Sequence, residues 1–186
     1  MAPRLSPAAT LEHALATRRI LVACGSGGVG KTTTAAALAL RAARAGRRVL
    51  ACTIDPSRRL ATSLGLQQLS GRPRPIDLAR LAPAPARGGA LWAMVLDVKS
   101  TFDALVTRYT PDAAARERIL GNRFYRQISA ALAGSHEYMA MEKLLELHAD
   151  ERFDLVVLDT PPTRHALDFL EAPDRLLDVL DTSVLR

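Results

Sequence analysis

Residues 20–34 read Ile-Leu-Val-Ala-Cys-Gly-Ser-Gly-Gly-Val-Gly-Lys-Thr-Thr-Thr, and few architectures accommodate such a stretch. The apolar run Ile20 to Cys24 predicts a buried strand. It feeds a glycine-rich turn, Gly25-Ser26-Gly27-Gly28-Val29-Gly30-Lys31-Thr32, which satisfies G-x-x-x-x-G-K-[ST]. An Ala- and Leu-rich helix is predicted from Lys31 to Ala45, closed by Gly46 where a left-handed residue is wanted. Strand, glycine loop and helix in this order make a phosphate cradle. Glycines let successive backbone N–H groups point at one anion, and the helix N-terminus adds partial positive charge. In such a cradle Lys31 reaches the β- and γ-phosphates and the Thr32 hydroxyl ligates Mg²⁺. Gly25, Ser26, Gly27, Gly28, Val29, Gly30, Lys31, Thr32 and Thr33 are the candidate nucleotide-binding residues. The competing reading, a chance glycine turn before a helix, leaves the Lys-Thr pair and both flanks unexplained.

Further strands are predicted near 49–54, 91–96 and 154–159. Two strands joined by a helix imply a parallel sheet with right-handed crossovers. Helices are expected from Lys99, from Thr110-Pro111 (N-cap and first helical residue) to Gly121, and on to about Ala133. Another follows Gly134-Ser135, and a last one starts near Thr163. The helix bearing Tyr138, Met139, Met141, Leu144, Leu145 and His148 reads as core, with a client-binding surface as the alternative. Residues 69–89 mix Pro, Gly, Ala and Arg and read as a solvated loop. The expected fold is a three-layer α/β P-loop NTPase fold with a mostly parallel sheet. It divides into a tail and short helix over 1–18, carrying Leu11 and Leu15, and a nucleotide-binding domain over 19–186.

Two aspartates end predicted strands. Asp159 follows Leu155 to Leu158, and a carboxylate there, near a phosphate loop, suits the Mg²⁺ shell; the alternative is a cap on the next turn. Asp55 ends the strand expected next to the first. It can orient or deprotonate an attacking water, or serve as a helix N-cap before Pro56. With Lys31, it is the candidate catalytic residue.

The net charge of +6 comes from arginine, since the only lysines are Lys31, Lys99 and Lys143. The arginines are scattered with few aromatics, which argues against direct nucleic-acid binding. Cys24 and Cys52 fall in predicted buried strands and read as inert core thiols rather than a disulfide or metal pair. His13, His136, His148 and His165 share no zinc-ligand spacing. No apolar run reaches the roughly 18 residues that span a bilayer, and Met1 to Thr10 has no signal-like apolar core, so a cytoplasmic location is expected.

Three runs in order resemble the anion-transporting ATPase family: Gly25 to Thr33; Thr53-Ile54-Asp55-Pro56-Ser57-Arg58-Arg59-Leu60; and Asp159-Thr160-Pro161-Pro162-Thr163-Arg164-His165-Ala166-Leu167. Ser135-His136-Glu137-Tyr138-Met139-Ala140-Met141-Glu142-Lys143 is similar to the bacterial ArsA-like branch. The family includes the arsenical-pump ATPase and the ATPase that delivers tail-anchored membrane proteins, within the deviant-Walker group of ParA, MinD and nitrogenase iron protein. The resemblance implies ATP and Mg²⁺ as cofactors, a homodimer, and a nucleotide-driven conformational change that delivers or transports a partner. That partner is a membrane-protein client or a membrane. It also implies that Asp55 belongs to the first switch and Asp159 to His165 form the second. Ser26 stands where the family carries a signature Lys that reaches the partner's nucleotide; Arg58, Arg59 and Arg164 are candidates to supply that charge. Family chains are longer, so the N-terminal portion of a larger domain is expected. Neither an arsenite cysteine set nor a C-x-x-C zinc pair is recognisable. Two alternatives stay open: a ParA/MinD-like positioning ATPase on DNA or membrane, and a signal-recognition-particle-type GTPase. Asp159-Thr160-Pro161-Pro162 argues against the latter.

Overall fold

A computed structural model describes residues 7–55, 57–81, 88–125 and 136–161. Among the described residues five strands form one sheet in the order β1-β5-β2-β4-β3: β1 (Ile20–Ala23), β2 (Arg48–Thr53), β3 (Arg74–Ile76), β4 (Ala90–Val95) and β5 (Leu155–Asp159). All neighbours pair parallel except β3, which runs antiparallel to β4. The helices among the described residues are α1 (Pro7–Thr17), α2 (Lys31–Arg44), α3 (Arg59–Ser63), α4 (Leu78–Leu81), α5 (Val98–Tyr109), α6 (Ala113–Gly121) and α7 (His136–Ala149). The fold is the expected three-layer α/β arrangement with a mostly parallel sheet.

The layers follow from a period of two. Val49 and Ala51 of β2, Leu91 and Ala93 of β4, and Leu155 and Val157 of β5 share one face and pack with α2. Leu50, Cys52, Met94, Val156 and Leu158 share the other, with Ala140, Leu144 and Leu147 of α7. Strands buried on both faces read as continuous apolar runs, which is why β2 and β5 stand out in the sequence. α2 lays Ala35, Ala36, Ala39, Ala42 and Ala43 on the sheet, small side chains that let its backbone come close. At Gly46 the backbone turns left-handed (φ +100°). Its N–H donates to the Ala43 carbonyl (3.0 Å) and the Arg47 N–H to the Ala42 carbonyl (3.2 Å), closing α2 as expected.

Several expectations need correction. Residues 69–89 are not simply a solvated loop: they contain β3 and α4, and Leu69 packs against the core. α6 is capped by Asp112, whose carboxylate accepts from the N–H groups of Ala114 and Ala115, not by Thr110 with Pro111 in the first turn. Leu145, expected in the core, is 63% exposed. β1 is half-buried and ends at Ala23, leaving Cys24 exposed, whereas Cys52 is buried and its thiol is pushed up to about 12 by desolvation. The helix predicted to reach Ala133, the opening at Gly134-Ser135, the helix from Thr163, and Pro56, Pro162, Arg164 and His165 lie outside the described residues.

Candidate functional site

The loop leaves β1 at Ala23 and enters α2 at Gly30, which is left-handed at φ +88°. Gly28 is left-handed too, at φ +78°. A side chain at either position would be strained, so the loop's course depends on glycine. α2 has no side-chain cap at its N-terminus, so its first-turn N–H groups are not spent on one. Lys31 folds back over the loop and donates to the Ser26 carbonyl at 2.8 Å. The loop's start is fixed from the neighbouring strand: the Thr160 hydroxyl and N–H both donate to the Ala23 carbonyl, at 3.0 and 3.2 Å.

Asp159 ends β5, between β1 and β2, and is 1% exposed. Its Oδ2 accepts from the Thr32 hydroxyl at 2.8 Å and the Thr53 hydroxyl at 3.1 Å. Its Oδ1 is buried without a hydrogen-bond partner. Desolvation raises the Asp159 pKa. The two hydroxyl bonds and the Lys31 charge oppose that rise, and the Asp55 charge adds to it. Lys31 and Asp55 thus both lie close enough to act on Asp159 at the carboxyl ends of the strands, where open α/β sheets bind ligands.

Asp55 lies two strands from β1, not one, because β5 intervenes. Its Oδ1 accepts from the Ser57 N–H at 2.8 Å, an Asx turn, and its Oδ2 lies 3.8 Å from the Arg59 guanidinium. The N-cap alternative fails: α3 begins at Arg59, with Arg58 in the capping position. Thr53 was missed by sequence reasoning. Its hydroxyl donates to Asp159 and accepts from the Asp55 N–H at 3.2 Å, so one buried oxygen joins both acidic residues. A hydroxyl residue ending an apolar strand, two positions before the Asp, is the only sequence signal it offers. Thr160 was missed for a similar reason.

A cleft of about 630 Å³ opens over the loop, with Gly28, Gly30 and Lys31 to Thr33 on one wall and Arg58, Arg59, Thr62 and Ser63 on the other. A larger one, about 680 Å³, lies between α1 and the carboxyl-terminal half of α2, at the opposite end of the sheet from these groups.

The sequence profile of the anion-transporting ATPases matches residues 18–184. An uncharacterized protein of Streptomyces coelicolor is 34% identical over 160 residues, covering 85% of this chain and 38% of the relative. The ATPase ASNA1 homolog of Babesia bovis is 30% identical over 158 residues, covering 85% and 39%. The ATPase get3 of Aspergillus terreus is 29% identical over 161 residues, covering 84% and 44%. The chain therefore spans about two-fifths of the length of these relatives.

Proposed function

Because the chain belongs to the anion-transporting ATPase family, we propose that it binds Mg-ATP in the cleft over residues 25–33, hydrolyses it, and couples nucleotide state to delivery or transport of a partner. The observation that carries the reading is the bond from the Thr32 hydroxyl to Asp159, whose second oxygen is buried and unpaired. A buried carboxylate with an unsatisfied oxygen is costly, and a hard cation next to a hydroxyl is a partner that would satisfy it. The donor set fits Mg²⁺: Thr32 and Asp159 would hold it, and the ion would neutralise charge developing on the phosphates.

The remaining roles follow from the chain's own groups. Backbone N–H groups of the loop and the start of α2 hold the phosphates. Lys31 exchanges its Ser26 carbonyl for phosphate oxygens. Asp55, anchored through the Ser57 N–H, accepts a hydrogen bond from water. That water's oxygen attacks the γ-phosphorus, the bond to the β-phosphate oxygen breaks, and the water's proton passes to the Asp55 carboxylate, leaving ADP and phosphate. Residues 19–186 belong to the ATPase domain. α1 is an added element, tied on by buried Leu15 and by the Arg47 guanidinium, which donates to the Leu15 and Arg18 carbonyls. We take the working form to be a cytoplasmic homodimer. Among the described residues no helix is long and apolar enough to cross a membrane.

The test is made on the complete protein. ATP should displace labelled ATP where GTP does not. Lys31→Ala should weaken ATP binding by about 10- to 100-fold, the scale of a lost charge-assisted hydrogen bond. Asp55→Asn should keep binding but lose about 10²-fold in single-turnover hydrolysis. Unchanged affinity in the Lys31 variant rejects the loop as the nucleotide site, and a near-wild-type rate in the Asp55 variant removes Asp55 from the chemistry.

A further inference from the structure

We propose that Arg58 is a phosphate-binding residue that acts in cis, supplying from the α3 wall of the cleft the transition-state charge that the loop does not carry beyond Lys31. The inference rests on the ATPase reading above. Four observations carry it. Among the described residues the loop wall holds one cation, Lys31, and Ser26 brings none. Among the described residues, the facing wall brings two arginines, Arg58 and Arg59, and no carboxylate lines the cleft with them. Arg59 is already engaged, 3.8 Å from the Asp55 carboxylate. Arg58 is exposed and makes no ion pair among the described residues.

Chemistry separates the two arginines. A guanidinium held by Asp55 orients that carboxylate and is partly neutralised by it. An uncommitted guanidinium facing a triphosphate offers a planar fork of donors that matches two phosphate oxygens at once. The charge on the γ-phosphoryl oxygens and the bridging oxygen changes as the bond to the leaving group breaks, and a positioned arginine that follows this change accelerates the step. Arg58 sits three residues beyond Asp55, on the same connection between β2 and α3. The water-orienting group and the charge-supplying group would therefore move as one piece.

The experiment uses the full-length protein with Mg-ATP in single-turnover hydrolysis, alongside binding of fluorescent ATP and ADP. Arg58→Ala should cut turnover by about 10³-fold, the lower edge of an arginine finger's contribution. ATP affinity should fall more than ADP affinity. Arg58→Lys should restore part of the rate, since charge returns without the fork. Circular dichroism of the variants should be unchanged, because the side chain is exposed. A mixture of Arg58→Ala with Lys31→Ala protein separates cis from trans. If Arg58 acts across a dimer, the Lys31 variant lends its arginine and activity returns; if it acts in cis, none does. Recovery in the mixture, or wild-type turnover in Arg58→Ala alone, overturns the proposal. Wild-type protein that neither binds nor hydrolyses ATP overturns the ATPase reading itself, and this inference with it.

Discussion

Asp154 and Asp159 stand at opposite ends of β5, and their carboxyl groups are driven in opposite directions. The Arg48 guanidinium and backbone N–H bond the Asp154 carboxylate, at 2.6 and 2.8 Å, and hold its pKa below the ordinary range. Burial holds that of Asp159 above it. A depressed folded-state pKa contributes stability that is fully present above the unfolded carboxyl value of about 3.9 and is lost as pH falls through the folded value. Asp154→Asn should therefore cost about 0.5–1 kcal/mol at pH 7, with the loss fading in acid. A raised folded-state pKa works the other way, because the folded state holds that proton more tightly and stability falls as pH rises through it. In chelator, Asp159→Asn should be at least as stable as the parent at pH 7, with its margin shrinking toward pH 4. Urea titrations across that range measure both. A less stable Asp159→Asn at pH 7 would mean that the hydroxyl bonds from Thr32 and Thr53 outweigh the cost of burial. A carboxylate whose burial costs the fold is what a functional site looks like at this scale.

α2 is the element that brings the glycine-rich loop onto the sheet, and its far end is seated on glycine. A Cβ at Gly89, just before β4, would lie 1.9 Å from the Ala43 carbonyl oxygen and 2.8 Å from Gly46 Cα. Neither obstacle is a side chain that could swing away. Gly89→Ala should thus force the α2 terminus and the β4 start apart, costing about 1–3 kcal/mol or more in chemical denaturation. A neutral result would show that the two segments separate freely. The sequence announces α2, β2, β4 and β5 because apolar periodicity and glycine punctuation agree there. It conceals β3: Arg74-Pro75-Ile76 is three residues long with a proline, which suits an edge strand and gives no apolar run to read. Thr53 and Thr160 are hidden for a different reason. Threonine is an ordinary strand former, so its identity does not reveal whether its hydroxyl faces a carboxylate, a carbonyl or solvent. Lys31, Thr32 and Asp159 are legible because a local motif and a strand end mark them; that Asp159 stands between β1 and β2 is a fact of strand order, which no local pattern encodes.

At the scale of the whole molecule, that strand order sets a clock. The sheet leaves a gap between its first two strands that is filled by the last described strand, and the Thr32–Asp159 bond joins residues 127 apart. During synthesis at about 5–20 residues per second, the finished glycine loop waits roughly 6–25 s for its acidic partner. Until then β1 has no strand to pair with among the described residues, and the site is open on one side. Closing so long a loop costs entropy before any contact repays it, so the missing strand should arrive in one cooperative step. Nascent chains stalled at successive lengths should therefore neither bind fluorescent ATP nor resist protease until the ribosome has released residue 159. Both properties should then appear together over a narrow interval. Binding that accumulates gradually once β4 has emerged would contradict this. On the proposed function, a translating ribosome would hold a chain that cannot spend ATP before the strand between β1 and β2 exists.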